Sequence, residues 1–582
     1  MTVTDRSGVP AASPVDAAAP IETGRPPAKE WRKLPTPPAG FAQTLGLPSF
    51  QAHLLYNRGV RSREHSLRFL NAGSGRSHDP MTLPDMGDAV SRLRRALDTG
   101  EPIGVFGDFD TDGLSGTALV VAALRELGGR PVPYIPHRVK EGHGLNKDAV
   151  SALRGKGVSV LITVDCGSTS VEEIEFAASI GIDTVVTDHH SLPPALPAAT
   201  AVVNPHRSDS GYAYDSLTGA GLAFKLAEAL FAEIGRPVPD HLYELAALGT
   251  VADVGPLTDE NRYLVAQGLT FLNETRHPGL KALIARAGLS PGGIDTDSLS
   301  FGLIPRLNAS GRIGDPSRTL ELLITDDAAV AEAIADELEM QNEERRRLTA
   351  DGVAGALEQV LEEGGPDALM LVSHPEWQPG ILGLIASQLS ELYHRPAVAV
   401  SIGAEVSRGS ARSVPEFNIV DAIRRSRDLL LRFGGHPRAA GFSLPSKDLP
   451  RLTAELVAEA REKLDGVTMM PSVDIDCEIS PVLLDSNFDF IQSMQPFGEA
   501  NPTPVFLTRN ARVRESRQVG AEGRHLKMTV SHGGRQWNAI AFRQGDKMPN
   551  SGDRVDLVYK ASCNDWGGQP RLQLEVLDFR VR

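Results

Sequence analysis

Three short apolar runs in the first half of the chain, residues 103–106, 158–164 and 184–186, each lead straight into aspartates. The first opens into Gly107-Asp108-Phe109-Asp110-Thr111-Asp112-Gly113, the second into Asp165-Cys166-Gly167, the third into Asp188-His189-His190. A fourth apolar run follows at 201–203. Between the first three lie segments with helical spacing, such as Leu119, Ala123, Leu124 and Leu127, then Val171, Ile174 and Ala178. Apolar strands alternating with amphipathic helices predict a parallel α/β sheet covered on both faces. In such a sheet, ligands bind beyond the carboxyl ends of the strands. Three strand ends thus bring five carboxylates and two imidazoles to one edge.

Carboxylates packed together repel, raise one another's pKa and cost stability. Divalent cations remove that cost, and mixed Asp/His ligation suits Mn²⁺ or Mg²⁺ better than a structural zinc. A calcium loop is the plain alternative for the first cluster. Counting Asp108 as its first position, the twelfth is Leu119, where an EF-hand needs Glu. Asp188-His189-His190 alone could be a helix cap with two surface histidines. Three such clusters on successive strand ends point instead to a functional site. Two cations roughly 3.5–4 Å apart would suit phosphoryl chemistry. Asp165, on the middle strand, is best placed to bridge them.

The rest of the chain bounds the class. A length of 582 residues suggests about three or four domains. No apolar run is long enough to cross a membrane, and the first twenty residues lack the basic and apolar regions of a secretory signal. Cys166, Cys477 and Cys563 lie far apart, which fits a reducing cytoplasm and argues against a disulfide framework. The net charge of -15 excludes a protein that coats nucleic acid with its whole surface. It leaves room for a local basic channel.

Residues 1–40, rich in Pro, Ala, Ser and Thr, read as a disordered tail. The parallel-sheet domain is expected over 45–325. A long, highly charged helix over 326–362 reads as a connector, because so polar a helix has little apolar face to bury. A second, smaller α/β pattern spans 363–468. From 469 to 582, short runs separated by Gly, Asn and Asp predict an all-β barrel. Between positions 505 and 560, eleven Arg and Lys stand against five Asp and Glu. Phe506, Trp537 and Phe542 there offer stacking surfaces for single-stranded nucleic acid, although aromatics alternating along strands are more often core.

These residues resemble the DHH phosphoesterase superfamily, and within it the bacterial exonucleases that degrade single-stranded DNA from 5′ to 3′. Asp110-Thr111-Asp112-Gly113, Asp165, Asp188-His189-His190 and Gly249-Thr250-Val251-Ala252-Asp253 match its four motifs. Arg306-Leu307-Asn308-Ala309-Ser310-Gly311-Arg312 is similar to its RxNAxGR segment, and Ser410-Ala411-Arg412-Ser413 to its SxRS motif. Gly434-Gly435-His436 with Ala439-Ala440-Gly441 resembles the signature of the DHH-associated domain. Pro496-Phe497-Gly498 with Asn501-Pro502 resembles the start of an oligonucleotide-binding (OB-fold) barrel. Gln378, Ala500 and His143 depart from the family's usual residues.

The resemblance implies Asp110, Asp112, Asp165, His189 and Asp253 as ligands of two Mn²⁺ or Mg²⁺ ions, with Asp108 beside them. It implies His190 at the scissile phosphate, and Arg138, Ser410 and Arg412 around a 5′-terminal phosphate. Arg306, Asn308, Arg312 and His436 are then expected along the phosphate path. The implied reaction releases nucleoside 5′-monophosphates in DNA repair and recombination. A single-strand-binding protein and a helicase are the implied partners. The alternative within the superfamily is a phosphodiesterase for short oligoribonucleotides or cyclic dinucleotides, which has no need of a barrel.

Overall fold

The structure, a computed structural model, describes residues 28–75, 77–138, 140–564 and 571–582. Two units emerge. The first comprises residues 77–255 and 264–469; the second is assembled from 28–76, 256–263 and 470–582.

The first unit contains two sheets. One runs β1 (Pro102–Gly107), β2 (Arg130–Tyr134), β3 (Val160–Val164), β4 (Asp183–Thr187) and β5 (Ala201–Val203), all parallel, in the order β2-β1-β3-β4-β5. All five positions of β3 are buried, as a strand covered on both faces requires. Three helices pack against one another beside this sheet: α1 (Thr111–Glu126), α2 (Gly219–Ile234) and α3 (Asp240–Ala252). They pack through small residues. A Cβ at Gly249 would stand 2.3 Å from Ala220 Cβ and 2.5 Å from Asp112 Oδ1.

The second sheet runs β6 (Met370–His374), β7 (Ala397–Ser401), β8 (Val406–Arg412), β9 (Arg432–His436) and β10 (Ala439–Pro445), in the order β9-β10-β8-β7-β6. Only β6 and β7 pair in parallel. Helix α4 (Ile304–Ile313) leads toward α5 (Ala328–Glu362), which joins the two sheets. The connector is less polar in its packing than its composition suggests. Ala331, Ile334, Ala335, Leu338, Val353, Ala356, Leu357 and Val360 form a buried stripe along it. Alanines interspersed with charges hide that stripe from a hydropathy reading.

The second unit is built around a closed barrel of Val505–Val519, His525–His532, Arg535–Ala541, Arg571–Val581 and Arg554–Asn564, the last pairing back onto the first. Its core differs from the expected domain boundaries. Leu45, Leu54, Leu55, Val60 and Phe69, expected in the parallel-sheet domain, lie with Phe41 in one apolar cluster with Phe506, Val513, Leu557 and Tyr559. Arg58 is paired with Asp476 at 2.8 Å, both nearly inaccessible. Of the expected tail, residues 1–27 lie outside the described residues, and Glu30–Lys33 forms a strand parallel to Ser472–Ile475. A truncation at 469 would therefore strip the N-terminal helices of their partners, so the barrel is best tested by point substitution.

The close approach of the three helices generates a paired prediction. Gly249→Ala should cost about 1–3 kcal/mol, because the methyl has nowhere to go. It should also weaken Mn²⁺ binding by displacing Asp112. Gly355→Ala in α5 meets nothing within 4 Å and should be neutral or stabilising. Thermal unfolding and Mn²⁺ titration of both variants check this.

Candidate active site

Each strand end hands over its acid by a different device. Asp108 follows β1. Asp110 caps α1, and its Oδ1 accepts from the N–H groups of Asp112 at 3.0 Å and Gly113 at 3.1 Å. Asp112 is buried in the first turn of α1 and accepts from Gly219 N at 2.7 Å and Ala220 N at 2.9 Å, the first N–H groups of α2. A helix N-terminus is a ready anion site, so α2 holds this carboxylate in place. Asp165, just past β3, has φ 61°, a left-handed conformation that Asp tolerates better than most residues. A Cβ at Gly219 would fall 2.4 Å from Asp165 Cβ, so only glycine admits the carboxylate there.

The histidines follow β4. His189 Nε2 lies 3.0 Å from Asp165 Oδ1, 3.8 Å from Asp253 Oδ2 and 4.0 Å from Asp112 Oδ2. Both His189 Nε2 and Asp165 Oδ1 are buried without a hydrogen-bond partner. Two lone-pair atoms aimed at the same space and bonded to nothing are what a cation requires. Candidate ligand atoms cluster as Asp108, Asp110 and Asp165; as Asp165, His189 and His190; and as Asp112, His189 and Asp253. Asp165 and His189 each belong to two of these groups, which supports a two-ion arrangement with Asp165 shared.

The electrostatics fit the same picture. Burial, then the neighbouring Asp108, pushes Asp110 up to about 6; burial and Asp110 push Asp112 up to about 7. Burial raises Asp253 to about 6 and lifts Asp165 well above the usual carboxylate range. His190 behaves in the opposite sense. Its Nδ1 lies 2.8 Å from Asp188 Oδ1, and that hydrogen bond outweighs burial and raises the imidazole to about 9. Burial would raise Asp188, but His190 and the Ser168 N–H hold it at about 2. Asp188 therefore serves to orient and charge His190.

Beside this acidic cluster lie arginines that form no ion pair with a carboxylate among the described residues. Arg138 stands 4.9 Å over the Phe109 ring, and burial lowers its pKa. Arg312 contacts the second sheet's domain: Nη1 donates to Gly380 O at 3.2 Å. Burial, then Arg138, Arg345 and Arg412, lowers Arg312 to about 9. Arg412 Nη1 lies 3.5 Å from Ser410 Oγ, and a Cβ at Gly383 would lie 3.0 Å from Arg412 Nη2. Arg138, Arg312 and Arg412 thus act on one another electrostatically where Arg312 meets the second sheet's domain, with Ser410 beside Arg412.

The other expected residues are engaged as follows. Arg306 is ion-paired with Glu339 and donates to Gly302 O at 2.7 Å. Its charge is spent in tying α4 to α5. Asn308 Oδ1 accepts from Thr111 N at 3.1 Å, which makes it a support for the start of α1. His436 is exposed at the end of β9, opposite Ala439. In the barrel, Phe506 and Trp537 are core residues, and only Phe542 is exposed. Arg512, Arg514, Ser531, His532, Arg535 and Arg554 line a basic recess on the barrel's outer face.

Two residues have roles that the sequence reading missed. Asn204, just past β5, donates to His190 O at 3.0 Å and Ser168 Oγ at 3.1 Å, bracing the histidine turn. A polar residue after a fourth apolar run was the signal. His143, notable in the sequence only as a departure from the family, approaches the acids: its Nδ1 lies 3.5 Å from Asp108 Oδ2, and its ring packs 4.4 Å from Phe109.

Three family models match the chain: the DHH family N-terminal domain over residues 102–250, the DHHA1 domain over 366–465 and the RecJ OB domain over 475–578. The chain is 35% identical over 547 residues to the single-stranded-DNA-specific exonuclease RecJ of Bacillus subtilis (strain 168), covering 93% of this chain and 69% of that protein. It is 37% identical over 577 residues to the protein of that name from Dickeya dadantii, covering 94% and 98%. The crystal structure of RecJ from Thermus thermophilus in complex with Mn²⁺ superposes with a TM-score of 0.82 at 32% identity, over 95% of this chain and 79% of that one. The Mg²⁺ complex from the same organism gives 0.77 at 31%, over 95% and 78%.

The raised carboxylates set a pH dependence for the metal-free protein. Asp110, Asp112 and Asp253 keep protons in the folded state at pH values where the unfolded chain, with carboxyls near 3.8, has lost them. The folded state then binds more protons, so stability falls as pH rises between about 4 and 7. The His190–Asp188 pair runs differently: its histidine contribution is complete below 6.5 and fades as pH rises through about 9. Metal-free melting temperature should therefore decline from pH 5 to pH 7.5, and Mn²⁺ should reverse the decline. Asp110→Asn, which keeps its capping oxygen, should flatten the decline and reduce the response to Mn²⁺. A profile that is flat without metal would contradict the crowding of these carboxylates.

Proposed function

The chain belongs to the RecJ family of single-stranded-DNA-specific exonucleases, and on that premise we propose that it removes nucleotides from the 5′ end of single-stranded DNA as 5′-monophosphates. The observation that carries the polarity is the placement of Arg138, Arg312 and Arg412, none ion-paired with a carboxylate among the described residues, with Ser410, beside the acidic cluster. A terminal phosphate carries more negative charge than an internal phosphodiester, and arginine forks with a hydroxyl suit it.

Asp110, Asp112, Asp165, His189 and Asp253 would hold Mn²⁺ or Mg²⁺, with Asp108 at the edge of the set. Bound there, the two ions would activate water and offset charge on the phosphoryl oxygens. The chain's own residues do the rest. His190, kept protonated by Asp188, presents a cationic donor to the scissile phosphate. Arg138 and Arg412 fix the end, so the strand is held in register with the acidic cluster. The barrel's basic recess and exposed Phe542 offer backbone charge and stacking to a longer strand. That barrel favours a polymer over a short oligoribonucleotide or a cyclic dinucleotide. Roles in DNA repair and recombination, a cytoplasmic location, and a single-strand-binding protein and a helicase as partners, rest on the family resemblance. No helix among the described residues is long and apolar enough to cross a membrane.

Incubation with Mn²⁺ and 5′- or 3′-labelled single strands, duplexes, RNA oligomers and cyclic dinucleotides tests the reading. Mononucleotide release from the 5′ end of single-stranded DNA is expected. Degradation from the 3′ end would place the end pocket elsewhere. Asp165→Ala should fold yet lose nearly all hydrolysis, and normal turnover in excess Mn²⁺ would refute its bridging role. Arg412→Ala should weaken binding of 5′-phosphorylated strands roughly ten- to a hundredfold, the cost of one charge-assisted donor. The preference for 5′-phosphate over 5′-hydroxyl ends should shrink with it in a competition assay.

A further inference from the structure

The buried stripe of α5 changes character for two turns. Ala331, Ile334, Ala335 and Leu338 precede the change, and Gly352, Val353, Ala356 and Leu357 follow it. Between them the buried positions are Asn342, Arg345 and Thr349. The flanking contacts locate these turns. A Cβ on Gly314, just after α4, would touch Gln341; one on Gly352 would meet Ile385 of the second sheet's domain. The polar turns therefore cross the seam at which Arg312 reaches Gly380.

Arg345 is 9% exposed. Its Nη2 donates to Asn342 Oδ1 at 2.9 Å, while its Nε is buried with no partner. Among the described residues no carboxylate pairs with it, and burial together with Arg346 and Arg306 lowers its pKa to about 10. A buried guanidinium is normally matched by a carboxylate, because an unpaired charge away from water is costly. Arg306 on the neighbouring α4 shows the usual solution, its pairing with Glu339. Arg345 has none among the described residues, and its charge reaches Arg312, whose proton affinity it lowers.

We propose that Arg345 is a substrate-binding residue whose guanidinium takes an internal phosphodiester of the bound strand at the floor of the cleft, with Asn342 holding it in position. Arg138, Arg412 and Ser410 are already assigned to the terminal phosphate, so the anion left for Arg345 lies further along the strand. The inference rests on reading the cleft as the path of single-stranded DNA.

The test uses full-length, Mn²⁺-loaded enzyme and 5′-phosphorylated DNA strands in which one internal linkage at a time is a neutral methylphosphonate. With the wild type, neutralising the linkage at Arg345 should lower kcat/KM. With Arg345→Gln, kcat/KM on the all-phosphate strand should fall roughly ten- to a hundredfold, mainly through KM. That same methylphosphonate should then have no further effect, while the others keep theirs. The slope of log(kcat/KM) against log salt should shrink by about 0.7, the share of one phosphate on a single strand. Equal losses on every scanned strand with an unchanged slope would make Arg345 structural and overturn the proposal. If the Gln variant does not fold, Arg345→Lys keeps the charge and decides: its loss must be confined to strands charged at one linkage. A wild type that degrades no single strand would refute the reading of the cleft itself. A wild type that does, beside a variant indistinguishable from it, would refute only Arg345.

Discussion

Like charges brought together out of water are the constraint on which the catalytic half of this protein depends. Asp112 and Asp165 are buried beside Asp110; Asp110 raises the pKa of Asp112, and both raise that of Asp165. A fold holds such a cluster only by compensating it locally. The N–H groups of α1 and α2 hold Asp110 and Asp112 through backbone donors that cannot move away. Asp165 accepts a left-handed backbone to reach the cluster, and Gly219 leaves the space for it. The remaining deficit is what divalent cations fill, so stability and metal binding are two readings of one arrangement.

The same logic, with the sign reversed, governs the seam between the two sheets. Arg138, Arg345 and Arg412 lower the affinity of Arg312 for its proton, Arg138 lowers that of Arg412, and no carboxylate pairs with any of these four among the described residues. An acidic protein can bind a polyanion because only the local field matters at a cleft. Acidic cluster and basic pocket lie side by side, one suited to cations and the other to phosphate. Arg138 couples them, since Asp108 and Asp110 partly offset its burial.

Much of this was legible in the sequence where local pattern and function coincide. The strands of the parallel sheet announced themselves as apolar runs, and their acidic ends marked the site. What could not be read depends on partners distant in the chain. Nothing near Phe41 or Leu54 says that their core partners are Phe506 and Tyr559. Arg306 sits inside a motif with Arg312, yet Glu339 pairs with Arg306 while Arg312 donates to Gly380 O and pairs with no carboxylate among the described residues. Phe506 and Trp537 alternate as barrel residues do, and only the closed barrel shows that they point inward. Asn342 and Arg345 were hidden in a run of charges, where a buried cation looks like a solvated one. Asp253 carries no pattern of its own and came with the family resemblance; α3 brings it to 3.8 Å from His189.

The central claim is that this acidic cluster holds two metal ions that share Asp165. Crystals soaked in Mn²⁺ and measured at the manganese absorption edge test it most directly. The account predicts two anomalous peaks about 3.5–4 Å apart, with Asp165 between them and His189 on one. A single peak, or a pair that leaves Asp165 uncoordinated, would contradict it.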